Sequence, residues 1–159
     1  MDTLTEITAT LIDRPVPAGW AVKNCKTLAT HDGYAYTCTL YVDGKRVAYV
    51  EQSGQGGCNM YSLAEGAQPR IVDLMATAAE CLDDTSEPLD TIVARLMDDL
   101  DTLKAAKRYA KKTGFPFVGY AEDAGQEDCG YMFAVRTIDR VPQFLAKHKA
   151  ARYRILIGE

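Results

Sequence analysis

A chain of 159 residues, 47% apolar and 25% charged, has the makeup of a globular protein rather than a disordered or fibrous one. At this length it buries roughly 70% of its unfolded surface, so neither disulfide nor metal is needed to hold a core. The longest apolar stretches fall well short of the ~20 residues that cross a bilayer, which speaks against a membrane-spanning role. The net charge is −4, but residues 1–100 carry seven Lys/Arg against fifteen Asp/Glu and residues 101–159 carry eleven against seven.

The opening residues Met1-Asp2-Thr3-Leu4-Thr5-Glu6 are acidic and lead into no signal-type apolar core, so the cytoplasm is the expected compartment. Five cysteines, an odd number with no C-x-x-C pair, read as reduced thiols under that expectation. No linker or repeat interrupts the chain, and residues 1–159 are read as a single domain.

In chain order, Leu4 to Ile12 is a weak strand, and Pro15 and Pro17 break the pattern after it. Trp20 to Leu28 is a second strand. The clearest local signal follows. Tyr34 to Val42 and Lys45 to Glu51 are rich in aromatic and β-branched residues, and Asp43-Gly44 between them predicts a two-residue type I′ hairpin turn. Strict alternation from that turn pairs Leu40 with Val47, Cys38 with Tyr49 and Tyr36 with Glu51 on a core-facing side. It leaves Thr37, Thr39, Tyr41, Arg46, Ala48 and Val50 on the opposite side.

Ile71, Leu74, Met75, Ala78 and Leu82 repeat at helical spacing, with Pro69 in the first turn. A second, longer helix starts near Ser86-Glu87-Pro88. Its stripe is Leu89, Ile92, Val93, Leu96, Met97, Leu100 and Leu103, and Gly114 is placed to end it. Phe115 to Ala121 and Gly130 to Arg136 flank an acidic turn over Glu122 to Asp128 as a second hairpin. A short helix over Pro142 to Ala150 and a strand over Arg152 to Ile157 close the chain. Strands segregated from helices predict an α+β fold, with a mainly antiparallel sheet of about 5–7 strands packed on two long amphipathic helices and one short one.

Several patterns carry chemistry, each beside a plainer reading. Gly54-Gln55-Gly56-Gly57, running on to Asn59, follows a strand, and such a run converges backbone N–H groups on an anion. It lacks the spacing of a Walker A loop or a dinucleotide fingerprint, and a tight connecting loop explains it equally. Lys104, Lys107, Arg108, Lys111 and Lys112 form a basic run that fits a nucleic-acid patch, or simply the end of a helix whose dipole favours cations there. The acids Glu80, Asp83, Asp84, Glu87, Asp90, Asp98, Asp99 and Asp101 fit imitation of a phosphate backbone or, more plainly, a solvated face, since Arg95 interrupts them and they are sparse. Of nine tyrosines, Tyr34, Tyr36, Tyr41 and Tyr49 fall in the first hairpin, where they serve either as strand residues or as rigid amphipathic contacts. No catalytic constellation and no metal-spaced Cys/His set emerges, no cofactor is expected, and Cys58 with His31 is the one nucleophile–base pair that can be named.

Tyr41-Val42-Asp43-Gly44-Lys45-Arg46-Val47-Ala48-Tyr49-Val50, followed by Ser53-Gly54-Gln55-Gly56-Gly57-Cys58-Asn59, resembles a pattern in small accessory proteins of phages, prophages and other mobile elements. There a Y-x-D-G-K hairpin leads into a G-x-G-G loop. The resemblance implies a protein that binds and blocks a host macromolecule, including a bacterial defence complex such as an anti-CRISPR target. Contacts are expected from Tyr41 and Arg46 on the hairpin and from Gly54, Gln55, Gly56, Gly57 and Asn59 in the loop. The alternatives are a nucleic-acid-binding module using sheet tyrosines and the basic helix end, and a nucleotide binder at the glycine loop.

Overall fold

The computed structural model describes residues 9–82, 86–123 and 130–158, and the α+β expectation holds over them. The expected single sheet is instead two four-stranded sheets. The chain divides into two compact units, one spanning Arg14–Leu100, the other joining residues before Arg14 to those from Asp101 onward. No helix among the described residues is long and apolar enough to cross a membrane.

In the Arg14–Leu100 unit, strands β2 (Trp20–Thr30), β3 (Gly33–Val42), β4 (Lys45–Gln52) and β5 (Met60–Leu63) pair antiparallel in that order. The β3–β4 turn forms as Asp43-Gly44 predicts. Both residues take positive φ, 50° and 78°, and Val42 pairs with Lys45 across them. The register beyond the turn departs from strict alternation. Tyr41 pairs with Arg46 but Leu40 pairs with Ala48, so Val47 is an extra residue, a β-bulge, and every later pair shifts by one. The physical reason lies in what each register buries. Unbroken alternation puts Tyr49 and the Glu51 carboxylate into the core and Ala48 and Val50 into water, and an unpaired buried carboxylate is strongly unfavourable. With the bulge, Val47, Ala48 and Val50 are all buried and Tyr49 and Glu51 are exposed.

The inner face of this sheet packs on two helices, α1 (Ile71–Cys81) and the first half of α2 (Pro88–Thr113). Trp20, Val22, Leu40, Ala48 and Val50 meet Leu74 and Ala78 of α1 and Leu89, Ile92, Val93, Leu96 and Met97 of α2 in one cluster. Each large side chain buried there stabilises the fold by about 1.5–3 kcal/mol. The helical stripes are those read from the spacing, but α1 has 11 residues against 26 for α2, so only one of the expected pair is long. Pro69 lies outside α1, since Arg70 is its N-cap. Arg14 reaches Asp98 at 2.7 Å, and Arg95 donates to the Pro15 carbonyl at 2.9 Å, which ties the chain entering β2 to α2.

In the other unit, β8 (Ala150–Ile157) and β7 (Gly130–Val135) flank β6 (Phe117–Asp123) antiparallel, and the two-residue β1 (Thr10–Leu11) pairs parallel with β8. Most of the Leu4–Ile12 strand expectation and the Glu122–Asp128 turn lie outside the described residues. Helix α3 (Val141–Lys147) covers this sheet through Val141 and Leu145 against Phe133, Val135 and Ala121. The second half of α2 belongs to this unit, and the Gly114 N–H closes it on the Ala110 carbonyl at 2.8 Å. The buried Glu122 carboxyl accepts from the Tyr120 hydroxyl and lies 3.6 Å from Arg152.

Candidate binding face

Because paired residues share a side of the sheet, the register defines the outer face of β2–β5. It carries Lys23, Lys26 and Leu28 of β2, Thr37, Thr39 and Tyr41 of β3, Arg46, Tyr49 and Glu51 of β4, and Met60 and Ser62 of β5. Three large apolar side chains on it stand in water: Leu28 at 69% exposure, Met60 at 68% and Tyr49 at 46%. A depression of about 290 Å³ lies between Asn24, Thr37, Tyr49, Glu51 and Met60. A second of about 330 Å³, near Lys26, Leu28 and Ala35, shares Thr37 and Glu51 with it.

The expected contact residues Tyr41 and Arg46 are both here. Sequence reading placed Tyr49 on the opposite side, and only the Val47 bulge brings it to join them. Arg46 donates to the Tyr49 hydroxyl at 3.0 Å, and hydrogen bonds from the guanidinium to Tyr41 and then to Tyr49 hold its pKa above the ordinary value. The Lys23 ammonium sits 4.6 Å from the centroid of the Tyr41 ring, and the Arg46 guanidinium 5.8 Å from that of Tyr49. The two tyrosines are thus held in place by their own cations.

The glycine loop is knitted into the fold at both ends. Gly54 is buried, with its N–H on the Gln52 side-chain carbonyl and its own carbonyl accepting from Thr30. Its N–H therefore points at a protein group and not at an anion. Asn59 is 9% exposed, and its N–H and both polar atoms of its side chain are hydrogen-bonded. Its N–H donates to Asp90 at 3.0 Å, its amide NH2 to Tyr61 at 3.1 Å, and its side-chain oxygen accepts from Tyr36 and Gln52. Tyr61 also donates to Asp90. Burial pushes the hydroxyls of Tyr36 and Tyr61 up, and for Tyr61 the bond to Asp90 adds to this. Asp90, read from sequence as part of a solvated acidic face, is the acceptor that pins the loop to α2. Of the residues expected to contact a ligand in this loop, Gln55, Gly56 and Gly57 face solvent.

Cys58 is exposed beside them, and its thiol donates to Glu87 at 3.1 Å. The Glu87 carboxylate, by that bond and by its charge, pushes the thiol up, the reverse of what activates a nucleophile. His31 lies in the exposed β2–β3 turn. Cys58, Glu87 and Asp90 bring their ligand atoms within 4.8 Å of one another. Sequence reading missed this group because 28 or more positions separate the thiol from its neighbours and no spacing rule links them.

Lys104, Lys107, Arg108, Lys111 and Lys112 are all exposed on the second half of α2, as expected of a basic helix end, and they belong to the other unit from the first-hairpin tyrosines Tyr34, Tyr36, Tyr41 and Tyr49. Comparison with protein-family models, curated proteins and solved structures gave no match.

Proposed function

We propose that this chain is a non-enzymatic binding protein that engages a partner protein through the outer face of β2–β5. The exposed side chains of Leu28, beside one depression, and of Tyr49 and Met60, beside the adjoining one, carry this reading, because apolar side chains on one open face mark interaction sites. Tyrosine and arginine held in place beside them suit an interface core, where rigid rings and guanidinium groups contribute most of the affinity. A nucleic-acid strand is the weaker fit. Bases stack on open ring faces, and Lys23 already lies over that of Tyr41. Glu51 also stands in the middle of the face. The likeness of Tyr41–Asn59 to accessory proteins of mobile elements makes the partner a host protein, and the consequence of binding its inhibition.

The test is affinity capture from host lysate with the wild-type chain, a Leu28→Ser/Met60→Ser variant and a Lys107→Glu/Lys111→Glu variant. A stoichiometric protein partner held by the wild type and the helix variant, and lost from the face variant, is the expected result. Retention by the face variant, or capture that nuclease abolishes and that falls steeply with salt, refutes the reading.

A further inference from the structure

We infer that Cys58, Glu87 and Asp90 form a binding site for one divalent cation of zinc-like softness. Three donors of two chemical kinds converge from two segments distant in sequence, the glycine loop and the start of α2. A tetrahedral ion with sulfur at ~2.3 Å and carboxylate oxygen at ~2.1 Å sets its ligand atoms roughly 3.4–3.7 Å apart. The Cys58 sulfur is 3.1 Å from a Glu87 oxygen, and all three donor atoms lie within 4.8 Å of one another, so shifts of about an ångström seat an ion.

The supports are of the kind metal ligands need. Tyr61 and the Asn59 N–H each donate to one Asp90 oxygen, which orients that carboxylate and leaves lone pairs on both. Asn59 follows Cys58 directly, so the same bond fixes the residue beside the thiol. The ion takes the place of the proton that Cys58 donates to Glu87, which leaves to solvent, and the resulting thiolate and two carboxylates carry three negative charges that the dication offsets in most part. The sulfur selects against magnesium and calcium, which prefer all-oxygen sites, while exposure of Cys58 and Glu87 leaves open positions for water or a further ligand.

Cobalt(II) tests the site in the full-length reduced chain, because a bound thiolate gives a sulfur-to-cobalt charge-transfer band. The expected result is one cobalt per chain with that band, abolished by Cys58→Ser and weakened at least about tenfold by Glu87→Gln, and displacement of cobalt by zinc but not by excess magnesium. In parallel, zinc slows maleimide labelling of Cys58, read by peptide mass, and leaves labelling of Cys81 unchanged. Both substitutions are at exposed positions, so the variants keep the wild-type urea midpoint. A band that persists in Cys58→Ser, the absence of any band, or equal competition by magnesium overturns the assignment.

Discussion

Gly54→Ala isolates what the glycine loop contributes to stability. Gly54 has φ +78°, where an L side chain is strained by about 1 kcal/mol or more. A Cβ there would also sit 2.7 Å from the Ala35 backbone nitrogen and 2.7 Å from the Thr30 methyl. Thr30 can rotate away, but its hydroxyl then releases the Gly54 carbonyl, at about 1 kcal/mol. The Ala35 nitrogen moves only if the end of the β2–β3 hairpin moves, adding roughly 1 kcal/mol more. The expected total is about 3 kcal/mol. Gly56→Ala is the control. Its φ of +81° carries the same strain, but nothing lies within 4 Å of the added carbon, so only about 1 kcal/mol is expected. Trp20, the one tryptophan of the chain, is in the core cluster of this unit and reports its unfolding by fluorescence. With a urea slope of about 2 kcal/mol/M, the midpoint falls by about 1.5 M for Gly54→Ala and about 0.5 M for Gly56→Ala. Equal midpoints refute the claim that close packing, and not backbone conformation alone, requires glycine at position 54.

Two further measurements probe the same unit. Asp90→Ala strands the Tyr61 hydroxyl and the Asn59 N–H and is expected to destabilise by about 2–4 kcal/mol, against about 1 kcal/mol for Tyr61→Phe. The double variant should lose less than the sum by about 1 kcal/mol, and strict additivity shows that Asp90 and Tyr61 do not act together. The Cys38 thiol is pushed up to about 12, mainly by burial and secondarily by the nearby Cys25, whereas in the unfolded chain it ionises near 8.5. Its stabilising contribution is therefore complete below about pH 8.5 and is lost as pH rises toward 12, since the unfolded state releases the proton first. Between pH 8.5 and 10 the urea midpoint of the wild type should fall more steeply than that of Cys38→Ala, and parallel slopes contradict the burial argument.

The Asp43-Gly44 turn and the stripes of α1 and α2 were legible because each is local: a dipeptide that tolerates positive φ, and apolar residues at i, i+3 and i+4. The division into two sheets was not, since nothing local in Phe117 to Ile157 says which earlier strands it avoids. β5 escaped notice because four residues after a glycine run give too short a pattern. The candidate face was half legible. Tyr41 and Arg46 flank the turn, where register is certain, while Tyr49 lies past the bulge, where alternation counts it on the wrong side. Asn59 and Asp90 looked like a loop residue and a surface acid because the partners that bury one and occupy the other are remote in sequence.

The bulge at Val47 also divides the hairpin into two segments that follow opposite parity. Ahead of it, the even position Arg46 faces solvent; beyond it, the odd positions Tyr49 and Glu51 do. Val47 and Ala48, adjacent in sequence, both point inward at the seam. The tip can therefore exchange residues at Lys45 and Arg46 without disturbing the core, and any transplant of this ribbon to another scaffold must carry the additional valine, or its aromatic display turns to the interior.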